Sequence, residues 1–162
     1  MHLEILVEDI SGKKMLEHLV PKIIGDRHTF NIHSFRGIGK LPKDLKPKTD
    51  ATKKILLDQL PRQLAAYGKT FRGYGSDYPA AVVVVCDLDD RCLKKFVSEL
   101  RNIGGRINPC PTTEFCIAIE EGEAWLLGDI PAVKKAYPKA KDGSLSGSQR
   151  NLSEFEEKVI HV

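Results

Sequence analysis

The chain has 162 residues, enough for one domain with a sizeable hydrophobic core. Hydrophobic residues make up 41% and charged residues 29%, which is typical of a water-soluble globular protein, and a net charge of +3 permits nucleic-acid binding without requiring it. The sequence contains no apolar stretch long enough to cross a membrane and no secretion signal at its N-terminus. We therefore expect a cytoplasmic location and no membrane partner.

The first third of the chain predicts two strands and a helix. Residues 3–8 and 29–35 are short β-prone runs. Between them, a helix over residues 12–24 follows Ser11 as its N-cap and contains Pro21. Its apolar residues are spaced to share one face, and they are Met15, Leu16, Leu19, Ile23 and Ile24.

A loop rich in glycine and proline is predicted over residues 36–50. A second helix follows over residues 51–67, with Pro61 as an interruption and Gly68 as its stop. The segment from 36 to 54 carries seven lysine and arginine residues against two aspartates. Such a segment is either a solvated loop or a contact for phosphate groups.

The strongest strand signal is AVVVVCDLDD, residues 81–90. Continuous runs of β-branched residues are typical of central parallel strands that are buried on both faces. A helix is predicted from about Arg91 to Gly104, with Asp90 as its N-cap and four inward-facing residues, Leu93, Phe96, Val97 and Leu100.

The last third predicts a strand over residues 114–119, a turn or short helix over 120–129, and a short helix from Ile130 with Pro131 near its start. We divide the chain into a domain at 1–140 and a flexible linker with a closing helix at 141–162 that packs on it. Strands alternate with helices, so the predicted fold class is α/β, with a mostly parallel, Rossmann-like sheet covered by helices on both faces.

Four cysteines occur, and their spacing does not favour zinc. They are separated by five, seventeen and five residues, whereas zinc ligands usually include a pair two to four residues apart. Cys86 and Cys116 lie in apolar runs and are expected to be buried, reduced thiols.

Acidic residues follow the predicted strands at the edge where open α/β sheets bind ligands. Asp87 and Asp89 are two residues apart, so in an extended chain they face the same side, and Glu8 ends the first strand. Carboxylates that lie close together repel unless a cation or a shared proton stabilises them, and Mg²⁺ prefers oxygen ligands. We therefore expect Mg²⁺ or Mn²⁺ at Asp87 and Asp89 with Glu8. The alternative is that strand-end acids cap the next helix and face water.

Two further features are candidate site residues. Glu120 lies at the end of the predicted strand and Glu123 three residues later. Either could add a metal ligand or a general base, although acids at a helix N-terminus give the same pattern. Lys13, with Ser11 and Gly12, could offer donors to a phosphate at a helix N-terminus, but the segment does not match a phosphate-binding P-loop.

These motifs resemble the Toprim fold of topoisomerases, primases and overcoming-lysogenization-defect nucleases, which has a glutamate after its first strand and an Asp-x-Asp after a later one. LVEDISG matches the first motif with Glu8 and Ser11, and VVVVCDLDD matches the second with Asp87 and Asp89. The resemblance implies that Glu8 is the general acid/base and that the Asp-x-Asp holds Mg²⁺. The chain departs from the first motif, since its glycine is Asp9 here and its second acid is Gly12.

Over residues 2–137 the chain more closely resembles an uncharacterised bacterial Toprim-like family whose genes often lie beside ATPases of the AAA or ABC type. The matching stretches are FRGIGKLPKDL, VVVVCDLDD and IAIEEGEAWLLGD. This resemblance implies a role in phage defence and an ATPase partner.

The resulting hypothesis is a Mg²⁺-dependent nuclease, a hydrolase of nucleic-acid phosphodiesters, with DNA favoured over RNA and self-association into a homodimer left open. Arg36, Lys40 and Lys13 would contact the nucleic acid. The alternatives are a non-catalytic partner or sensor subunit of an ATPase-containing complex, and a phosphotransferase or nucleotidyltransferase of small substrates.

Overall fold

The structure is a computed structural model that describes residues 1–75, 77–119 and 128–139. Strands and helices alternate along the described chain. In chain order they are β1 (His2–Val7), α1 (Ile10–Ile24), β2 (Thr29–Ser34), α2 (Leu56–Arg72), β3 (Ala80–Asp87), α3 (Leu93–Gly104), β4 (Thr113–Ala118) and α4 (Ile130–Ala136). A single 3₁₀ turn, Ala51–Lys53, precedes α2.

The four strands form one parallel sheet in the order β2-β1-β3-β4. The chain starts at an inner strand, moves to one edge, and then crosses back to the other inner strand. The predicted α/β fold class is confirmed. The predicted linker and closing helix at 141–162 lie outside the described residues.

The prediction that the valine run forms a central buried strand is also confirmed. β3 pairs with β1 on one side and β4 on the other. Val82 and Val84 are completely buried, and Val85 is 7% exposed. Burial on both faces removes a continuous run of β-branched side chains from water, which explains why the strand has no polar residue before Asp87.

Alternate residues of the strands contribute to two separate cores. On one face, Leu6 and Val84 pack with residues of α2 and α3, including Leu60 and Leu100. On the other face, strand residues such as Val7 pack with Leu16 and Val20 of α1. Helices therefore cover both faces of the sheet, and the described helices include none long and apolar enough to span a membrane.

Helix α1 begins earlier than the sequence suggested. Its N-cap is Asp9, not Ser11, because the Asp9 carboxylate accepts hydrogen bonds from the Gly12 amide (2.7 Å) and the Ser11 hydroxyl (2.8 Å). Pro21 lies inside the helix. The predicted apolar face was wrong at Ile23, which is 77% exposed, since Leu16 and Val20 provide the buried contacts.

The start of α3 was also predicted incorrectly. Cys92 is its N-cap, whereas Asp90 is exposed in the turn before the helix. The Arg91 amide donates to the Leu88 carbonyl at 3.2 Å, which closes this turn and delays the helix. The cysteine prediction is confirmed for Cys86, which is 2% exposed, while Cys116 is partly buried. All four cysteines are free thiols.

Helix α2 continues past both of its predicted breaks. Pro61 lies within the helix and is buried, and Gly68 is an interior residue, not a stop. A Cβ atom at Gly68 would overlap the backbone carbonyl of Pro109. The glycine is therefore required for the close approach of α2 to the segment before β4, which outweighs its poor helix propensity.

We predict that Gly68→Ala destabilises the protein, although alanine is the better helix former by about 1 kcal/mol. The clash is with backbone, which cannot rotate away, so we expect a net loss of at least about 1 kcal/mol in the free energy of unfolding, measured by chemical denaturation. Lys69→Ala, at the exposed neighbouring position, should change it by less than about 0.5 kcal/mol. Equal stability of the two variants would contradict the packing role of Gly68.

Candidate functional site

Parallel pairing brings the acidic ends of β1 and β3 together. Val7, the last residue of β1, is in register with Val85, and β3 continues for two more residues to Asp87 at the same edge of the sheet. The backbone amide of Asp87 donates to Oε2 of Glu8 at 3.3 Å, across 79 residues of sequence. Glu8 is partly buried, as is Asp87. This contact joins the Glu8 carboxylate to the Asp87 backbone, and the convergence of the acidic side chains on one metal ion stays a prediction.

Asp89 reaches this edge by a different route from the one predicted. β3 ends at Asp87, and Asp89 adopts a left-handed backbone conformation with φ of 50°. The two-residue alternation of an extended strand therefore does not apply to it. Leu88 is buried, as expected, and its amide donates to the Ala118 carbonyl of β4 at 2.7 Å. The Asp89 carboxylate accepts a hydrogen bond from the Arg91 guanidinium at 2.8 Å.

The environment of Glu8 favours its protonated form. Burial raises the pKa of the Glu8 carboxyl, and the negative charges of Asp89 and Asp9 raise it further. Hydrogen bonds from the backbone amides of Asp87 and Ile38 act in the opposite direction but do not cancel the increase. A carboxyl with a raised pKa can exchange a proton closer to neutral pH, which suits a general acid or base.

The two departures from the Toprim motif have structural consequences. Asp9, in place of the motif's glycine, is the N-cap of α1. A Cβ atom at Gly12, where the motif has its second acid, would lie 2.7 Å from Cγ2 of Val7 and 3.1 Å from Oδ1 of Asp9. Position 12 therefore cannot carry an acidic side chain unless the buried Val7 or the helix cap moves.

The other two acidic candidates, Glu120 and Glu123, lie outside the described residues. Within residues 1–75, 77–119 and 128–139, no three His, Cys, Asp or Glu side chains are grouped closely enough to hold a metal ion. The described donors at the edge are thus the carboxylates of Glu8 and Asp87, with Asp89 directed to Arg91.

The three basic residues predicted to contact nucleic acid lie at separate places. Lys13 is on α1, where its ammonium pairs with Glu17 at 3.7 Å. The Gly12 amide next to it is bonded to Asp9, so the chain's own carboxylate fills the anion position at this helix end. Arg36 and Lys40 are exposed on the loop after β2, on the side of the sheet edge near Glu8, whose carbonyl accepts from the Gly37 amide at 3.1 Å.

A buried carboxylate that the sequence analysis did not identify fixes the far end of this loop. Asp58 of α2 is 5% exposed and accepts hydrogen bonds from the Lys48 amide (2.9 Å), the Thr49 amide (3.0 Å) and the Thr49 hydroxyl (2.6 Å). Burial alone would raise the pKa of Asp58, but these bonds outweigh it and lower the pKa. The basic loop is therefore anchored at this end.

A second polar cluster was also missed. Glu4 of β1 is 8% exposed, and its carboxylate contacts four side chains: His2 Nε2 (3.0 Å), Asn31 Nδ2 (3.0 Å), His33 Nε2 (2.6 Å) and the Tyr67 hydroxyl (3.2 Å). Burial acts to raise the pKa of Glu4, but the hydrogen bonds from His2, Asn31 and His33 lower it overall. In the sequence, the only signal for this cluster was the alternation of polar residues in HLE and NIH. The strand register, which pairs Glu4 with Asn31, brings these two segments together.

None of three comparisons, with protein-family models, with curated proteins and with solved structures, found a match to this chain. The family resemblance therefore rests on the motifs alone, and the fold that the structure supports is the α/β fold with a four-stranded parallel sheet.

We predict that Glu4→Gln lowers the free energy of unfolding at pH 7 by about 1–3 kcal/mol, because four partly buried hydrogen bonds lose their charged acceptor. The folded-state pKa of Glu4 is below its ordinary value of 4.5, so the stabilisation is complete above that pH and is lost as the pH falls through the folded-state pKa. The difference between wild type and variant should therefore shrink in acid.

Chemical denaturation at neutral pH and near pH 3.5 measures this difference. Glu17→Gln is a suitable control, since that side chain is 49% exposed and its pair with Lys13 is worth about 0.5 kcal/mol or less. A difference for Glu4→Gln that stayed constant or grew in acid would show that the carboxylate does not stabilise the fold as a charge.

Proposed function

We propose that this chain is a metal-dependent hydrolase of nucleic-acid phosphodiesters, a nuclease-type protein of the Toprim family, acting in phage defence together with an ATPase. The observation that carries the proposal is the meeting of Glu8 and Asp87 at the carboxyl edge of two adjacent parallel strands. Ligand and catalytic sites of open α/β sheets lie at this edge. DNA is the favoured substrate, and the matching motifs support the family assignment.

Carboxylate oxygens of the kind that follow β1 and β3 are the ligands that a hard divalent ion prefers. Asp87 and Asp89 would hold Mg²⁺ or Mn²⁺ with Glu8, and Glu120 or Glu123 would complete the ligand set. A bound ion would stabilise the negative charge that develops on a scissile phosphate. Glu8 would transfer the proton, since burial and the charge of Asp89 raise its pKa. Arg36 and Lys40 would hold the phosphate backbone.

A non-catalytic role is the second candidate, and two observations favour it. Gly12 leaves no room for the second acid of the motif, which argues against a two-metal arrangement of the nuclease type. Arg91 already neutralises Asp89. In this case the chain would be a partner or sensor subunit of an ATPase-containing complex. Co-purification with the ATPase encoded beside the gene, followed by cleavage assays of each protein alone and together, separates the two functions.

We predict that the wild-type protein cleaves labelled DNA in the presence of Mg²⁺ or Mn²⁺. Asp87→Asn and Glu8→Gln should each reduce the rate at least about 100-fold, because one removes a metal ligand and the other the proton-transfer group. Asp26→Asn, at an exposed position in the turn after α1, should leave the rate unchanged. Cleavage that persists in both site variants would exclude the proposed mechanism.

We further predict that calorimetry detects Mg²⁺ or Mn²⁺ binding to the wild type and none to the Asp87→Ala/Asp89→Ala variant. The raised pKa of Glu8 means that its proton competes with the metal above the ordinary value of 4.5, so affinity should increase with pH through the folded-state pKa. Equal metal affinity in the two proteins would rule out the Asp-x-Asp as the ligand set.

A further inference from the structure

A cleft with a volume of about 670 Å³ lies between the loop after β2 and helix α3. One wall is formed by residues 40–45 of the loop, and the other by residues of α3 and the turn before it. Core side chains such as Phe96 and Ile103 lie beneath the cleft and are at most 3% exposed, whereas Leu41 and Leu45 of the loop wall are partly exposed. Volumes of about 300–1,000 Å³ are typical of sites that enclose an organic ligand.

Two arginines fix the loop wall against α3. The Arg91 guanidinium donates to the Gly39 carbonyl at 3.1 Å and lies 5.2 Å from the centre of the Phe96 ring. The Arg106 guanidinium donates to the Lys43 carbonyl at 2.9 Å. Both ends of the loop wall are therefore bonded to the helix side, so the cleft is a fixed feature of the fold.

The cleft is strongly basic. Five cationic side chains line it and only one acidic side chain, Glu99, opposes them; the five are Lys40, Lys43, Arg91, Lys95 and Arg106. Within the described part of the chain, Lys40, Lys43 and Lys95 take part in no ion pair. Three exposed ammonium groups around one concavity attract an anion that carries several charges.

Arg91 connects this cleft to the acidic edge of the sheet. The same guanidinium that bonds Gly39 in the cleft wall also bonds the Asp89 carboxylate at 2.8 Å. The cleft therefore borders Asp89, one of the acids that follow β3.

We propose that the cleft binds single-stranded nucleic acid and leads it to the acidic edge. The phosphates would contact the lysines at the rim, and the bases would lie against the partly exposed side chains of Leu41 and Leu45. A double helix keeps its bases inside and offers only its backbone, whereas a single strand offers both a charged backbone and flat apolar surfaces. This inference rests on the proposed function, and it names the form of the substrate.

Binding is measured separately from cleavage, by fluorescence anisotropy in EDTA with a labelled single strand of about 15 nucleotides and the matching duplex. The test variant is Lys43→Glu/Lys95→Glu. Loss of two phosphate contacts removes about 0.7 each from the slope of log affinity against log salt, which corresponds to at least about a 25-fold weaker affinity near 0.1 M salt. Lys43→Arg/Lys95→Arg should bind as the wild type does.

The matched control is Lys14→Glu/Lys69→Glu, which makes the same change of net charge at exposed positions on α1 and α2, outside the cleft lining. It should weaken binding less than about threefold, because only the long-range attraction between the protein's net charge and the nucleic acid is reduced. Thermal melting of all variants checks that they are folded. A control that weakens binding as much as the cleft variant would overturn the proposal, and so would absence of wild-type binding or a preference for the duplex.

The outcomes of this test and of the cleavage test are distinguishable. Selective loss of single-strand binding in the cleft variant, with no cleavage by the wild type, would support the proposed binding cleft and contradict the proposed nuclease activity. Cleavage by the wild type with unchanged binding in the cleft variant would support the nuclease and contradict the cleft.

Discussion

The pairing of β3 with both β1 and β4 is the constraint on which the rest of the structure depends. Three of its four valines are buried and Val83 is partly buried, and helices cover both faces, so the strand occupies the interior of the sheet. The parallel register then fixes where each neighbouring strand ends. Glu8 meets the Asp87 amide because Val7 is paired with Val85, and a shift of one residue would turn both side chains to other faces.

The environment of the edge follows from this pairing. Glu8 is held between two strands and below the loop that follows β2, which removes water from its carboxyl and raises its pKa. The left-handed turn at Asp89 places that carboxylate against Arg91, near enough to Glu8 for its charge to raise the pKa of Glu8. A single guanidinium therefore connects the acids, the loop wall at Gly39 and the aromatic ring of Phe96.

The loop after β2 has no regular structure between Phe35 and the turn at Ala51, yet it is attached at several points. The buried carboxylate of Asp58 holds its far end, and Arg91 and Arg106 hold its middle against α3. These contacts bring a basic segment and a helix into one cleft beside the acidic edge.

The sequence by itself determined the alternation of strands and helices and the central burial of the valine run, because apolar periodicity is a local property. It did not determine the N-caps at Asp9 and Cys92, the interior position of Gly68 or the cluster around Glu4. The caps follow from local hydrogen bonds, from Gly12 to Asp9 and from Arg91 to Leu88. The last two depend on contacts between residues far apart in the chain, Pro109 against α2 and β2 in register with β1. Tertiary structure decided these two because packing and strand register overrule local preference.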